Sequence, residues 1–93
     1  MFVGIVRVEL RLPGAASLKD KRAVIRSLKE RIRNRTTAAV AEVDHHDLWQ
    51  RATLGLAVVS SENAHVSELL QGVRSIVESR PDAEVLDWQE QRL

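Results

Sequence analysis

Five cationic side chains, Lys19, Arg22, Arg26, Lys29 and Arg33, recur three and four residues apart near the start of this 93-residue chain. On a helix turning about 100° per residue they fall within an arc of about 80° and form one continuous stripe. Like charges at i, i+3 and i, i+4 cost an isolated helix roughly 0.2–0.5 kcal/mol per pair, and no acid lies inside the arc to relieve them. A polyanion does relieve them, so the stripe is a candidate phosphate-contacting surface. The plainer alternative is a solvated helix face neutralised by Glu42, Asp44 or Glu68 from elsewhere in the fold. Lys21 falls instead on the apolar arc, where it reads as a snorkelling chain at the helix start.

Two other segments carry side chains capable of chemistry. Asp44-His45-His46-Asp47 offers imidazoles and carboxylates, the ligands of Zn²⁺ or Fe²⁺. Adjacent residues in a short loop rarely converge on one centre, and a third ligand group at helical or strand spacing is missing, so a polar turn is the expectation and no metal is assigned. A His-Asp pair there also lacks a nucleophile beside it. Asp47-Leu48-Trp49-Gln50-Arg51 places an aromatic among donors and acceptors, and Trp49 and Arg51 are candidate partner contacts. Trp49 can stack on a base or anchor a protein interface, or it can close the end of the core with its indole N–H on a carbonyl.

The elements that position these residues are legible from periodicity. Residues 3–12 alternate, with Val6, Val8, Leu10 and Leu12 on one side and Arg7, Glu9 and Arg11 on the other, as in a half-buried strand, and Pro13-Gly14 ends it. Ser17 and Asp20 form a capping-box pattern. Leu18, Val24, Ile25, Leu28 and Ile32 then repeat at helical spacing to about residue 34, with Arg31, Arg33 and Arg35 suiting the negative end of the helix dipole. Strands follow near 38–44 and 51–60, joined closely enough for an antiparallel pair. Val66, Leu69, Leu70, Val73, Ile76 and Val77 mark a second helix that Pro81-Asp82 stops. Residues 84–90 alternate Leu86 and Trp88 against Asp87 and Gln89 as a fourth strand.

That order, β-α-β-β-α-β, predicts a single ferredoxin-like α+β domain over 1–93, a four-stranded antiparallel sheet with two helices on one face. The helix-covered side takes Val6, Val8, Leu10, Leu54, Leu56 and Val58. The open side shows Val3, Ile5, Thr53, Gly55, Ala57 and Val59, apolar enough at one end to meet another copy or a partner.

Composition removes many functions. Without cysteine there is no disulfide, thiolate metal site or thiol nucleophile. Arg7, Glu9 and Arg11 interrupt the apolar start that a signal peptide needs, and no run approaches the roughly 18 apolar residues of a membrane span, so the expected location is the cytoplasm. There is no Gly-rich phosphate cradle, no Gly-x-Ser-x-Gly elbow and no RNP-like aromatic pair. Leu12-Pro13-Gly14-Ala15-Ala16 does not match the Gly-rich loop and Arg of the acylphosphatases, which share the element order. No catalytic residue and no cofactor are therefore assigned. Net charge is +1, yet residues 18–35 hold eight Lys or Arg against Asp20 and Glu30, so the remainder carries −5; such a chain can present a basic face while staying near neutral.

Ser17-Leu18-Lys19-Asp20-Lys21-Arg22, Val24-Ile25-Arg26-Ser27-Leu28-Lys29, Val40-Ala41-Glu42-Val43, Asp47-Leu48-Trp49-Gln50-Arg51-Ala52, Leu54-Gly55 and Val59-Ser60 resemble, in register, the YlxP-like family of small uncharacterised bacterial proteins. The resemblance implies a ferredoxin-like fold. It also implies a role near the ribosome, because the family's genes often lie beside those for translation initiation and ribosome maturation factors. No catalytic residues are known for the family. This chain departs at Thr36-Thr37-Ala38-Ala39, where the family usually opens with an aromatic.

The function expected from these features is an RNA- or ribosome-associated, non-catalytic accessory protein that meets ribosomal RNA through the stripe. The alternative is a homo-oligomeric interaction module that uses the open sheet face or an edge strand, its stripe docked on an acidic protein.

Overall fold

The computed structural model describes residues 1–93. The elements run β1 (Phe2–Arg11), α1 (Leu18–Arg35), β2 (Ala39–Asp44), β3 (Arg51–Ser60), α2 (Asn63–Glu78) and β4 (Glu84–Arg92). The strands form one antiparallel sheet ordered β2-β3-β1-β4. Both helices pack on one face of it and against each other, the ferredoxin-like arrangement expected from the element order.

The period-2 pattern decides which face the helices cover. Val6, Val8 and Leu10 of β1 and Leu54, Leu56 and Val58 of β3 join Ile25, Leu28 and Ile32 of α1 and Val66, Leu70, Val73, Ile76 and Val77 of α2 in one buried cluster. Gly4 lets α2 approach β1 closely, because a Cβ there would lie 2.7 Å from Val66 Cγ1 and 3.0 Å from Leu70 Cδ1.

Polar details settle the ends of α1. Ser17 Oγ accepts from the Asp20 backbone N–H at 3.0 Å, as a capping box requires. The Asp20 carboxylate accepts from Ala16 N at 3.0 Å, one residue before the cap. At the other end Thr36 caps the helix with its side chain: its hydroxyl donates to Ile32 O at 2.8 Å and accepts from Ala38 N at 3.1 Å. That closes the turn and lets Ala38 be buried.

β4 departs from simple alternation. A bulge opposite Glu9 and Leu10 makes Leu86 an extra, unpaired residue, so Leu86 is exposed while Val85 and Trp88 face the core side opposite Leu10 and Val8. β2 carries its own bulge between Glu42 and Asp44, which lays Val43 across Gly55 on the open face. Thr53, expected on the open surface, is buried there because its hydroxyl donates to Glu9 Oε2 at 2.8 Å beneath neighbouring charged chains. β2 and β4 are the sheet's edges, and a bulge in each blunts strand-to-strand association. No helix is long and apolar enough to cross a membrane.

After α2, the Arg80 guanidinium grips Asp82 through two bonds of 3.0 and 2.8 Å and reaches Ser27 Oγ of α1 at 2.9 Å. The hydrogen bonds from Arg80 hold the Asp82 carboxyl below its ordinary value. A carboxylate depressed on folding stabilises the folded state above its unfolded pKa of about 3.9 and loses that contribution as pH falls through the folded value. Asp82→Asn is therefore expected to flatten the fall in unfolding free energy between about pH 4 and pH 2, measured by urea titration at several pH values; an unchanged slope would remove the pair from the acid sensitivity of the fold.

Candidate nucleic-acid interface

α1 displays the cationic stripe as one surface. Lys19, Arg22, Arg26 and Arg33 are exposed and Lys29 is partly so. None of the five forms an ion pair: Glu42 meets Lys21 at 3.0 Å, Asp44 meets Arg7 at 3.3 Å, and Glu68, Asp20 and Glu30 pair with no cation. Lys19, Arg22 and Arg26 line a shallow depression of about 320 Å³ with Ala23. At the far end Arg33 Nη2 donates to Val40 O of β2 at 3.2 Å, which fixes its guanidinium while leaving its charge unpaired. Over the stripe's 14-residue span the helix rises about 21 Å.

Lys21 behaves differently from the snorkelling chain its position suggests. It is 1% exposed. Its ammonium donates to the carbonyls of His45 at 2.6 Å, Arg51 at 3.1 Å and His46 at 3.2 Å, and Glu42 Oε2 lies 3.0 Å away. The β2–β3 loop folds over the first turns of α1, so the chain has no route to water and the backbone supplies the ligands that water would have given. A lysine alone on the apolar arc of an otherwise regular helix was the available sequence signal. Its hydrogen-bond acceptors are not legible from the sequence, since the three carbonyls are main-chain atoms and Glu42 lies 21 residues away.

The loop thus held is the one carrying Trp49. Gln50 ties it further, donating from Nε2 to Pro13 O at 3.4 Å and Ala15 O at 3.1 Å, while its own carbonyl accepts from Leu12 N at 2.9 Å. His45 takes a left-handed φ of 61° to make the turn that Leu48 N closes on His45 O at 3.1 Å. On this braced turn Leu48 is 48% and Trp49 53% exposed, so Trp49 does not close the core. Asp47, Leu48, Trp49, Gln50 and Arg51 surround an open depression of about 400 Å³.

The Asp44-His45-His46-Asp47 side chains diverge. Asp44 faces Arg7, His45 Nε2 sits 3.5 Å from Glu9 Oε2, and His46 Nε2 lies 3.2 Å from Glu42 O. The His45 backbone N–H, 2.7 Å from Asp44 Oδ1, is the chief cause holding Asp44 below the usual carboxylate range, with the charges of His45 and Arg7 adding to it.

Arg51 is separated from the stripe. Its position in β3 places it on the open face, where its Nη2 is 3.7 Å from Glu9 Oε2, and Arg7 Nε is 3.4 Å from Glu9 Oε1. The loop carrying Trp49 is fastened at the end of the molecule where α1 and its stripe begin, while Arg51, which also lines the depression around Trp49, belongs to a charge cluster centred on Glu9.

Residues 3–90 match the family model described as "Protein of unknown function (DUF503)". The chain is also similar to the uncharacterised protein YlxP of Bacillus subtilis (strain 168), at 34% identity over 83 residues, which cover 89% of this chain and 90% of that protein. The match runs through the braced loop and both helices, and on it the chain belongs to the DUF503, YlxP-like family of proteins of unknown function.

Proposed function

We propose that this protein binds RNA through phosphate contacts made by Lys19, Arg22, Arg26, Lys29 and Arg33. The observation that carries the reading is the absence of any ion pair along a file of five cations on one helix face. Uncompensated like charges cost the free protein stability and are relieved when phosphates arrive and release their counterions. The resemblance of the chain to a family placed genetically among translation factors makes ribosomal RNA the first RNA to try.

Phosphate binding fixes the salt dependence. With five contacts, log K falls against log salt with a slope of about −3.5 on single strands and about −4.5 on a duplex. Titration of a fluorescent ribosomal RNA fragment at several salt concentrations measures it, and a slope near zero rejects the reading.

A second reading rests on the open face, where Ile5, Ala39, Ala41, Val43 and Ala57 line a shallow apolar depression of about 370 Å³. Arg7 and Asp44 sit beside it with opposite charges, a pattern that a twofold partner of the same chain can match in reverse. Mass measurement at low micromolar concentration tests it: a strict monomer removes the homodimer.

A further inference from the structure

We infer that the RNA is single-stranded, its phosphates following the α1 stripe and one of its bases stacked on Trp49. This rests on the phosphate-binding reading and adds the class of strand.

An indole more than half exposed is ordinarily found on a mobile segment or against a partner. Here the loop is braced from two sides: the buried ammonium of Lys21 holds the carbonyls of His45, His46 and Arg51, and Gln50 holds Pro13 and Ala15. Trp49 and Leu48 are thus presented by a preorganised turn, which loses little conformational freedom when something binds. The same Lys21 bonds fasten that turn to the start of α1, the end at which the stripe begins with Lys19 and Arg22.

A ligand that meets both features must be anionic along its length and offer a flat apolar face at one point. A single strand does so, because its bases are free to stack on aromatic rings while its phosphates track a basic groove. A duplex keeps its base faces inside the stack, and A-form RNA offers side chains mainly 2′-hydroxyls and phosphates. The depression around Trp49, about 400 Å³, is open and is lined beside the indole by Asp47 and by the Gln50 and Arg51 side chains that Pro13, Ala15 and Glu9 hold in place.

The test compares an unstructured A/C-repeat RNA dodecamer with the same strand annealed to its complement, both fluorescein-labelled, by anisotropy. The native protein is expected to favour the single strand at least tenfold. Trp49→Ala loses about tenfold on the single strand, leaves the duplex unchanged and keeps the salt slope, while Trp49→Phe retains most of the affinity. In a Trp88→Phe background, where Trp49 is the one remaining indole, the single strand quenches the fluorescence and the duplex does not. Equal losses on both RNAs, or none on either, overturn the stacking inference even if the salt slope still supports phosphate binding. A flat salt slope with no strand preference overturns both.

Discussion

Replacing Lys19, Arg22, Arg26, Lys29 and Arg33 together by Gln is expected to lower RNA affinity roughly 3 × 10³- to 3 × 10⁴-fold at 0.1 M salt. The magnitude follows from counterion release: with a slope of about −0.7 to −0.9 per contact, each cation contributes a factor of about five to eight at 0.1 M relative to 1 M. The fold should survive the change, because none of the five side chains takes part in an ion pair and only Arg33 makes a hydrogen bond, to Val40 O. Removing their mutual repulsion favours the helix slightly. The melting temperature of the variant is therefore expected to match or exceed that of the native protein. A control chain neutralised at Arg7, Arg11, Arg74 and Arg92, which lie off α1 and all pair with acids, removes four charges against the stripe's five and so separates site from most of the change in net charge. If that control loses as much affinity as the stripe variant, the stripe is not the contact surface.

Lys21→Met is expected to destabilise the fold by about 3–5 kcal/mol, the cost of removing one partner from a buried charge pair and leaving the other behind. The substitution keeps most of the volume and removes the ammonium. The carbonyls of His45, His46 and Arg51 lose their shared donor, and Glu42, mostly buried, keeps a charge with no cation beside it. For a domain of this size each kcal/mol lowers the midpoint by about 4–8 °C, so the effect is well outside error in thermal or urea unfolding. Adding Glu42→Gln removes the stranded charge, and the double variant is expected to be less unstable than the two single losses added together. A Lys21→Met protein within about 1 kcal/mol of native would show that the ammonium contributes little and that the loop is braced otherwise. The same variant should loosen the turn that presents Trp49, visible as a fall in the steady-state anisotropy of the indole in a Trp88→Phe background.

These two lysine-bearing regions show how differently neighbouring residues of one helix can be read. Lys19, Arg22 and Arg26 announced their surface through spacing, since a 3.6-residue period maps sequence directly onto a helix face. Lys21 stood in the same run and looked like a helix-start snorkel. Its burial depends on a loop some 24 to 30 residues away in sequence, whose acceptors are backbone oxygens that every residue possesses. β4 gave a comparable lesson. Leu86 and Trp88 alternated as though they shared a face, but a bulge shifts the register by one and exposes Leu86 while Val85 and Trp88 face inward. A bulge is decided by what the neighbouring strand presents, and nothing within Glu84–Arg92 prescribes it.

By itself the sequence determined the element order, the buried faces of the two central strands and the alignment of five cations on α1. Each of these follows from local periodicity, together with the small number of ways six short elements can bury one apolar side. Tertiary structure alone decided that the stripe's charges stay unpaired, that Lys21 is buried beneath the β2–β3 loop, and that Trp49 is held out on a braced turn. Those outcomes depend on which distant groups fold into contact, and electrostatic pairing and main-chain hydrogen bonding between remote segments leave no periodic trace along the chain.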